Sequence, residues 1–205
     1  RALEFKEPVI AAALEEEKKA IALAPMFPDF WNALGQMHHF AGRLDEAKSA
    51  WVHAVDVAPG YAPALGWLEK YAPRDVFQAT PSDLEVGELP LGRPVMLDQE
   101  RNLVIKIANL GEAPLSFQVD VVAARWHPLP AGYATSPAVR VRPLLSEFQV
   151  PANGIVRLPL EVLVPRADRF RDRRFCAFVR LRCVNFDVPV DRIIRVLIQT
   201  AGAEK

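Results

Sequence analysis

Four histidines, two cysteines and two clusters of aromatic and basic residues are the groups in this 205-residue chain best suited to chemistry or to gripping a ligand. His38 and His39 are adjacent, and His53 follows within the same helical stretch. Neighbouring helical residues diverge by about 100°, so His38 turns toward a helix partner while His39 turns outward, and the three do not converge on a metal. Cys176 and Cys183 sit seven residues apart on one predicted strand. At about 3.3 Å per residue that separation is far beyond disulfide reach. Odd spacing puts them on opposite faces, so one buried thiol and one on the other face are expected. The chain has no G-x-S-x-G, H-E-x-x-H, C-x-x-C or glycine-rich phosphate loop, and its acidic residues are scattered. No catalytic residue, metal site or cofactor is expected from this pattern.

Three further segments offer contacts instead of chemistry. The stretch 125–137, RWHPLPAGYATSP, carries Trp126, His127 and Tyr133 among prolines, and amphipathic aromatics on loops make good partner contacts. The stretch 166–174, RADRFRDRR, gathers five arginines and two aspartates around Phe170 and reads as a solvated hairpin tip. By strand alternation Phe178, Arg180 and Arg182 share one face, opposite Phe175, Ala177, Val179 and Leu181. A face mixing Phe and Arg implies a covered surface, with arginine stems packed flat and their heads paired to carboxylates.

Composition limits what those segments can serve. The chain is 51% hydrophobic and 24% charged, enough for a real core in one or two domains. Twenty-five basic and twenty-five acidic residues cancel, which removes the global field that nucleic acid or an anionic membrane would need. No apolar run approaches the roughly 20 residues of a membrane-spanning helix. Eighteen arginines against seven lysines, with abundant Ala and Pro, suggest a GC-rich bacterial genome.

Two periodicities position these groups. Residues 8–71 carry apolar residues three and four apart, broken at Pro25, Gly42 and Pro59, and predict helices at about 8–24, 28–40, 44–57 and 61–71. From about residue 95 the period becomes two: Leu115, Phe117, Val119 and Val121 alternate with Ser116, Gln118 and Asp120. Six or seven short strands without intervening helices predict an antiparallel β-sandwich over 95–205. Residues 72–94, with Pro and Gly scattered among charges, read as a linker that includes at most a first edge strand. The expected class is α+β in two domains.

Within the helical part, Trp31, Leu34, Gly35, Gly42, Ala47, Trp51, Ala54 and Pro59 fall at the signature positions of a 34-residue unit begun at Pro28. Residues 28–61 thus resemble a tetratricopeptide repeat (TPR), with His38 departing from the family's Tyr. In the same frame residues 8–25 look like the second helix of a preceding repeat, and 61–71 like a capping helix. The resemblance implies a TPR array continuing upstream of Arg1, whose concave surface is lined by Asp29, Asn32, Gln36 and His39. The segments FQVPANG and IANLGEAPLSFQV are similar to strand and turn patterns of immunoglobulin-like domains of bacterial accessory proteins.

The function expected from these readings is a non-catalytic scaffold or accessory subunit mediating protein–protein interactions within a larger, bacterial assembly. Its partners are other protein subunits, bound through Asp29, Asn32, Gln36 and His39 on one domain and Trp126, Tyr133, Arg180 and Arg182 on the other. One alternative is a carbohydrate- or small-molecule-binding module that stacks its ligand on Trp126 and Tyr133. Another is a fragment of a larger enzyme whose catalytic part lies upstream. Extracytoplasmic placement is favoured, because immunoglobulin-like modules are frequent there and the chain lacks its own start.

Overall fold

A computed structural model describes residues 6–202, apart from the side chains of Lys6, Glu7 and Trp126. The chain divides into two compact units, residues 1–72 with 125–127, and residues 73–124 with 128–205. The first is helical and the second is a β-sandwich, so the molecule is α+β.

Four helices build the first unit: α1 (Lys6–Leu23), α2 (Pro28–Phe40), α3 (Leu44–Val57) and α4 (Ala62–Leu68). Helix α2 starts at a proline whose missing N–H costs nothing in the first turn. Its turn into α3 runs through Gly42 at φ +74°, with the Gly42 and Arg43 N–H groups donating to the His39 and His38 carbonyls. That left-handed position is where glycine is favoured. Ala47, Trp51 and Ala54 of α3 are fully buried, and Gly35 of α2 lies directly against the Trp51 indole. The absence of a side chain at Gly35 is what lets the two helices approach.

A repeat array is not what these helices form. The described residues hold one hairpin of similar helices, α2 and α3, flanked by the 18-residue α1 and the seven-residue α4. Gly35, Ala47 and Ala54 are small residues of the kind a close antiparallel helix pair uses at its contact, and Trp51 fills the space beside them. They specify a hairpin and say nothing about a stack.

The second unit contains eleven strands among the described residues: β1 (Phe77–Thr80), β2 (Asp83–Leu89), β3 (Pro94–Met96), β4 (Ile105–Asn109), β5 (Leu115–Val122), β6 (Arg140–Pro143), β7 (Glu147–Val150), β8 (Ile155–Leu158), β9 (Leu160–Leu163), β10 (Arg174–Cys183) and β11 (Val190–Thr200). One helical turn, α5 (Leu97–Glu100), follows β3. The largest sheet has the order β2-β11-β10-β5-β7, and two three-stranded sheets run β1-β4-β8 and β3-β9-β6. Neighbours are antiparallel except β2, which pairs parallel to β11. Residues 72–94 are thus not a plain linker: they contain β1 and β2, whose Phe77, Leu84, Val86 and Leu89 are buried.

Alternation builds the core. Leu115, Phe117 and Val119 of β5 face inward with Val179 and Leu181 of β10, and Phe117 meets the Phe77 ring edge-on at 4.8 Å. Asn109 closes one turn of the sandwich. Its side-chain amide donates to the carbonyls of Ala113, Val150 and Pro151, and its Oδ1 accepts from the Gly111 N–H. Every one of its hydrogen-bonding positions except one lone pair is thereby filled inside a buried site.

Candidate functional site

The four polar residues of α2 are drawn into the packing of the helical unit and do not form one open surface. Asp29 is exposed and accepts a 2.5 Å hydrogen bond from the Tyr61 hydroxyl. Burial, then the bond to Asp29, pushes the Tyr61 phenol up to about 12. Asn32 is buried, and its Oδ1 meets no hydrogen-bond partner among the described residues. Gln36 is half-buried. His39 packs its ring 5.1 Å from Trp67 and 5.9 Å from Trp51, with Nδ1 3.4 Å from the Tyr71 hydroxyl. Trp51 and Trp67 are themselves stacked at 4.9 Å. His38 buries its Nδ1, and that burial lowers its basicity. His53 lies against Trp31. No group of three His, Cys, Asp or Glu among the described residues could hold a metal ion.

On the sandwich, the mixed Phe and Arg face is held by ion pairs across neighbouring strands. Arg180 of β10 makes a two-pronged contact with Asp120 of β5 at 2.8 Å, and Arg182 makes another with Asp191 of β11 at 2.9 Å. The side chains of Arg182 and Asp191 are only 12% and 13% exposed. Arg195 of β11 grips Asp83 of β2 in the same way. Each pair is formed by residues directly opposite in the register, which is why sequence alternation brings them to one face. Above them Val122, Cys176, Phe178 and Leu197 form an apolar cluster, against which Tyr133 packs. Both Cys176 and Cys183 are buried, because both faces of β10 are covered at these positions. Desolvation lifts the Cys176 thiol to about 11 and raises that of Cys183.

Tyr133 belongs to a connection that is pinned to β10. The Ala134 N–H donates to the Arg174 carbonyl, and the Cys176 N–H donates back to the Ala134 carbonyl at 2.9 Å. The side chain of Trp126 lies outside the described residues. The arginine-rich segment is anchored by buried Phe170, whose carbonyl accepts from the Thr200 hydroxyl, while Arg169 lies over its ring.

Two features escaped the sequence reading. At the connection between α1 and α2, Leu23, Met26 and Phe27 are 88%, 70% and 55% exposed. The apolar residues around Pro25 and Pro28 were the available signal, and helical periodicity hid them. The second feature is a groove of about 580 Å³ between β5 and β6. It arises where the chain changes sheets: β7 pairs with Leu115–Gln118 of β5, whereas β6, just before it, pairs with β9 in a different sheet. The two strands part at the bond from the Val119 N–H to the Ser146 carbonyl, leaving a wedge. Val121 continues the inward alternation of β5 but is 43% exposed, because nothing covers it there.

No family model matches the chain, and no curated protein matches it. Among solved structures it is similar to the PapD-like domain 7 of human CEP192, at 12% identity and a TM-score of 0.44, over 63% of this chain and 87% of that one. It is also similar to the Pseudomonas aeruginosa CupB2 chaperone, at 14% identity and 0.41, over 62% of this chain and 57% of that one. The C. elegans protein WR4, a member of the MSP family, is similar at 13% identity and 0.34, over 62% of this chain and 98% of that one. With no repeat family matched and a single hairpin of similar helices among the described residues, the TPR assignment is withdrawn, and the β-sandwich stands.

Proposed function

We propose that this protein is a non-catalytic accessory subunit that holds other protein subunits together within a larger assembly. The observation that carries the reading is the ridge of Leu23, Met26 and Phe27. Three large apolar side chains left in water within five residues, at the turn that joins α1 to α2, are what a protein partner buries, at about 1.5–3 kcal/mol for each side chain fully covered. The chain's balanced charge favours such an apolar contact over nucleic acid. Among the described residues no helix is long and apolar enough to cross a membrane.

The non-catalytic part of the reading draws support from the titratable groups. The aspartates facing Arg180, Arg182 and Arg195 are engaged in ion pairs, and the raised Tyr61, Cys176 and Cys183 have burial as their first cause. Tyr133, packed against the sandwich, offers no free stacking platform for a sugar. The test is cross-linking with mass spectrometry on the full-length protein in native extract, with the same experiment on a Leu23→Asp, Phe27→Asp variant. Cross-links to the same partner subunits, lost in the variant while its circular dichroism is unchanged, are expected. A protein that purifies alone, or partners indifferent to the substitution, refutes the assignment.

A further inference from the structure

The groove between β5 and β6 combines three properties that single out its occupant. First, it is bounded by two strand edges. On β5 the Val119 N–H points outward to Ser146, so alternation turns the N–H and C=O of Val121 to the same outer side, beyond the last residue that β7 covers. On β6 the Leu144 N–H that follows the strand donates to Pro159 beside β9, so the backbone groups of Val141 face away from β9, toward the groove. Second, its lining is apolar: Phe175 and Ala177 of β10 meet it beside Val121, Val139 and Val141, and Val121 is left 43% exposed there. Third, the charged residues lining it are both arginines: Arg142 is paired with Glu161 at 3.2 Å, and Arg140 stands exposed at the rim.

A compact small molecule satisfies the apolar lining but not a row of strand-edge amides. An extended backbone satisfies both. We propose that this groove binds an extended segment of a partner protein as an added β-strand on the outer edge of β5, in line with β7. The segment alternates apolar residues, one of which enters between Phe175 and Val141, and carries a carboxylate that meets Arg140. The occupant's apolar alternation follows from the period-two pleat of the edge it joins, and its acid from the rim's uncompensated positive charge. This inference rests on the accessory-subunit reading and names a second contact, separate from the ridge of α1 and α2.

A phage-displayed library of random peptides about twelve residues long, long enough for a typical strand, is selected against the full chain, and the enriched peptides are synthesised. Enriched sequences are expected to alternate apolar residues beside an Asp or Glu. Bound peptide is expected to slow amide exchange at Val121 and Ala123 at least tenfold. Arg140→Glu, at an exposed position that leaves the fold alone, is expected to weaken these peptides by roughly three- to tenfold and to favour counterparts in which Lys replaces the acid. Val121→Pro removes the edge donor and is expected to abolish binding, with its circular dichroism checked alongside. Recovery of no binder, protection that maps elsewhere, indifference to Arg140→Glu, or a self-associated chain that already protects Val121 overturns the proposal. If the native partners still cross-link to the Leu23–Phe27 ridge while peptides fail here, the accessory reading stands and only the groove assignment falls.

Discussion

The contact between Gly35 and Trp51 yields a sign-reversing test of the helical unit. A Cβ placed on Gly35 would sit 2.5 Å from Cδ1 and 2.8 Å from Cε2 of Trp51, and nearer still to Nε1. The indole cannot retreat, since Trp51 is fully buried and stacked at 4.9 Å on Trp67. Overpacking of this kind costs about 3 kcal/mol at the upper end of its usual range, while Gly→Ala within a helix returns about 1 kcal/mol. Gly35→Ala is therefore expected to destabilise the helical unit by about 2 kcal/mol. Gly66→Ala in α4 is the control: nothing lies within 4 Å of its new Cβ, so only the gain of about 1 kcal/mol applies. Urea unfolding followed by tryptophan fluorescence reports on this unit, because Trp31, Trp51 and Trp67 all belong to it. If both substitutions move the midpoint in the same direction, the close approach of α2 and α3 is not what Gly35 provides.

Three other perturbations test the remaining features. Asn109→Ala removes the amide that ties three carbonyls together and the acceptor of the Gly111 N–H, although Pro151 keeps the Gly154 N–H, and is expected to destabilise the sandwich by about 2 kcal/mol in thermal unfolding, whereas an exposed polar residue would cost a few tenths. Asp191→Ala removes the carboxylate that the covered Arg182 guanidinium grips, for an expected loss of about 3 kcal/mol, while the double change Arg182→Met with Asp191→Leu restores most of it; a double variant as unstable as the single shows that the charges themselves are required. Burial, the leading cause, holds His38 below its usual basicity despite nearby Glu46. The unfolded chain therefore takes up the proton more readily, so the helical unit loses stability as pH falls through about 6.5 toward the lower folded value. In His38→Leu that part of the pH slope in urea midpoints disappears; an unchanged slope assigns it to another group.

Local pattern carried the elements further than their assembly. The apolar spacing of 8–24, 28–40 and 44–57 matches helices Lys6–Leu23, Pro28–Phe40 and Leu44–Val57 closely, because each helix buries one stripe. The fourth expectation overran: α4 stops at Leu68, three residues short of Tyr71. Residues 72–94 hold two strands where at most one edge strand is expected, because prolines and charges surround β1 and β2, and at Gly87, φ +71°, the alternation of β2 slips beside a register shift. The site was less legible. Asp29 finds its partner 32 residues away in Tyr61, and His39 finds its own in Trp67 and Tyr71 of a later segment, so no window around α2 could reveal that its polar face was occupied. Arg180 and Arg182 were expected on a covered, carboxylate-paired face, and the strand register supplies Asp120 and Asp191 as those carboxylates. The bare edge of β5 depends on β6 and β7 joining different sheets, a property of pairing that neither strand's own sequence expresses.

The parallel pairing of β2 with β11 has a consequence for how the chain is made. Among the described strands β2 has only β11 beside it in its sheet, and the Arg195–Asp83 contact that fastens them spans 112 residues. On a ribosome adding roughly 5–20 residues per second, β2 emerges roughly 6–22 seconds before the strand it needs. For that interval Leu84, Val86 and Leu89 have no sheet to join, and the nascent sandwich presents an apolar leading strand to whatever cellular chaperones attend synthesis. Completion of the β unit therefore waits on β11, the last of its described strands to be synthesised.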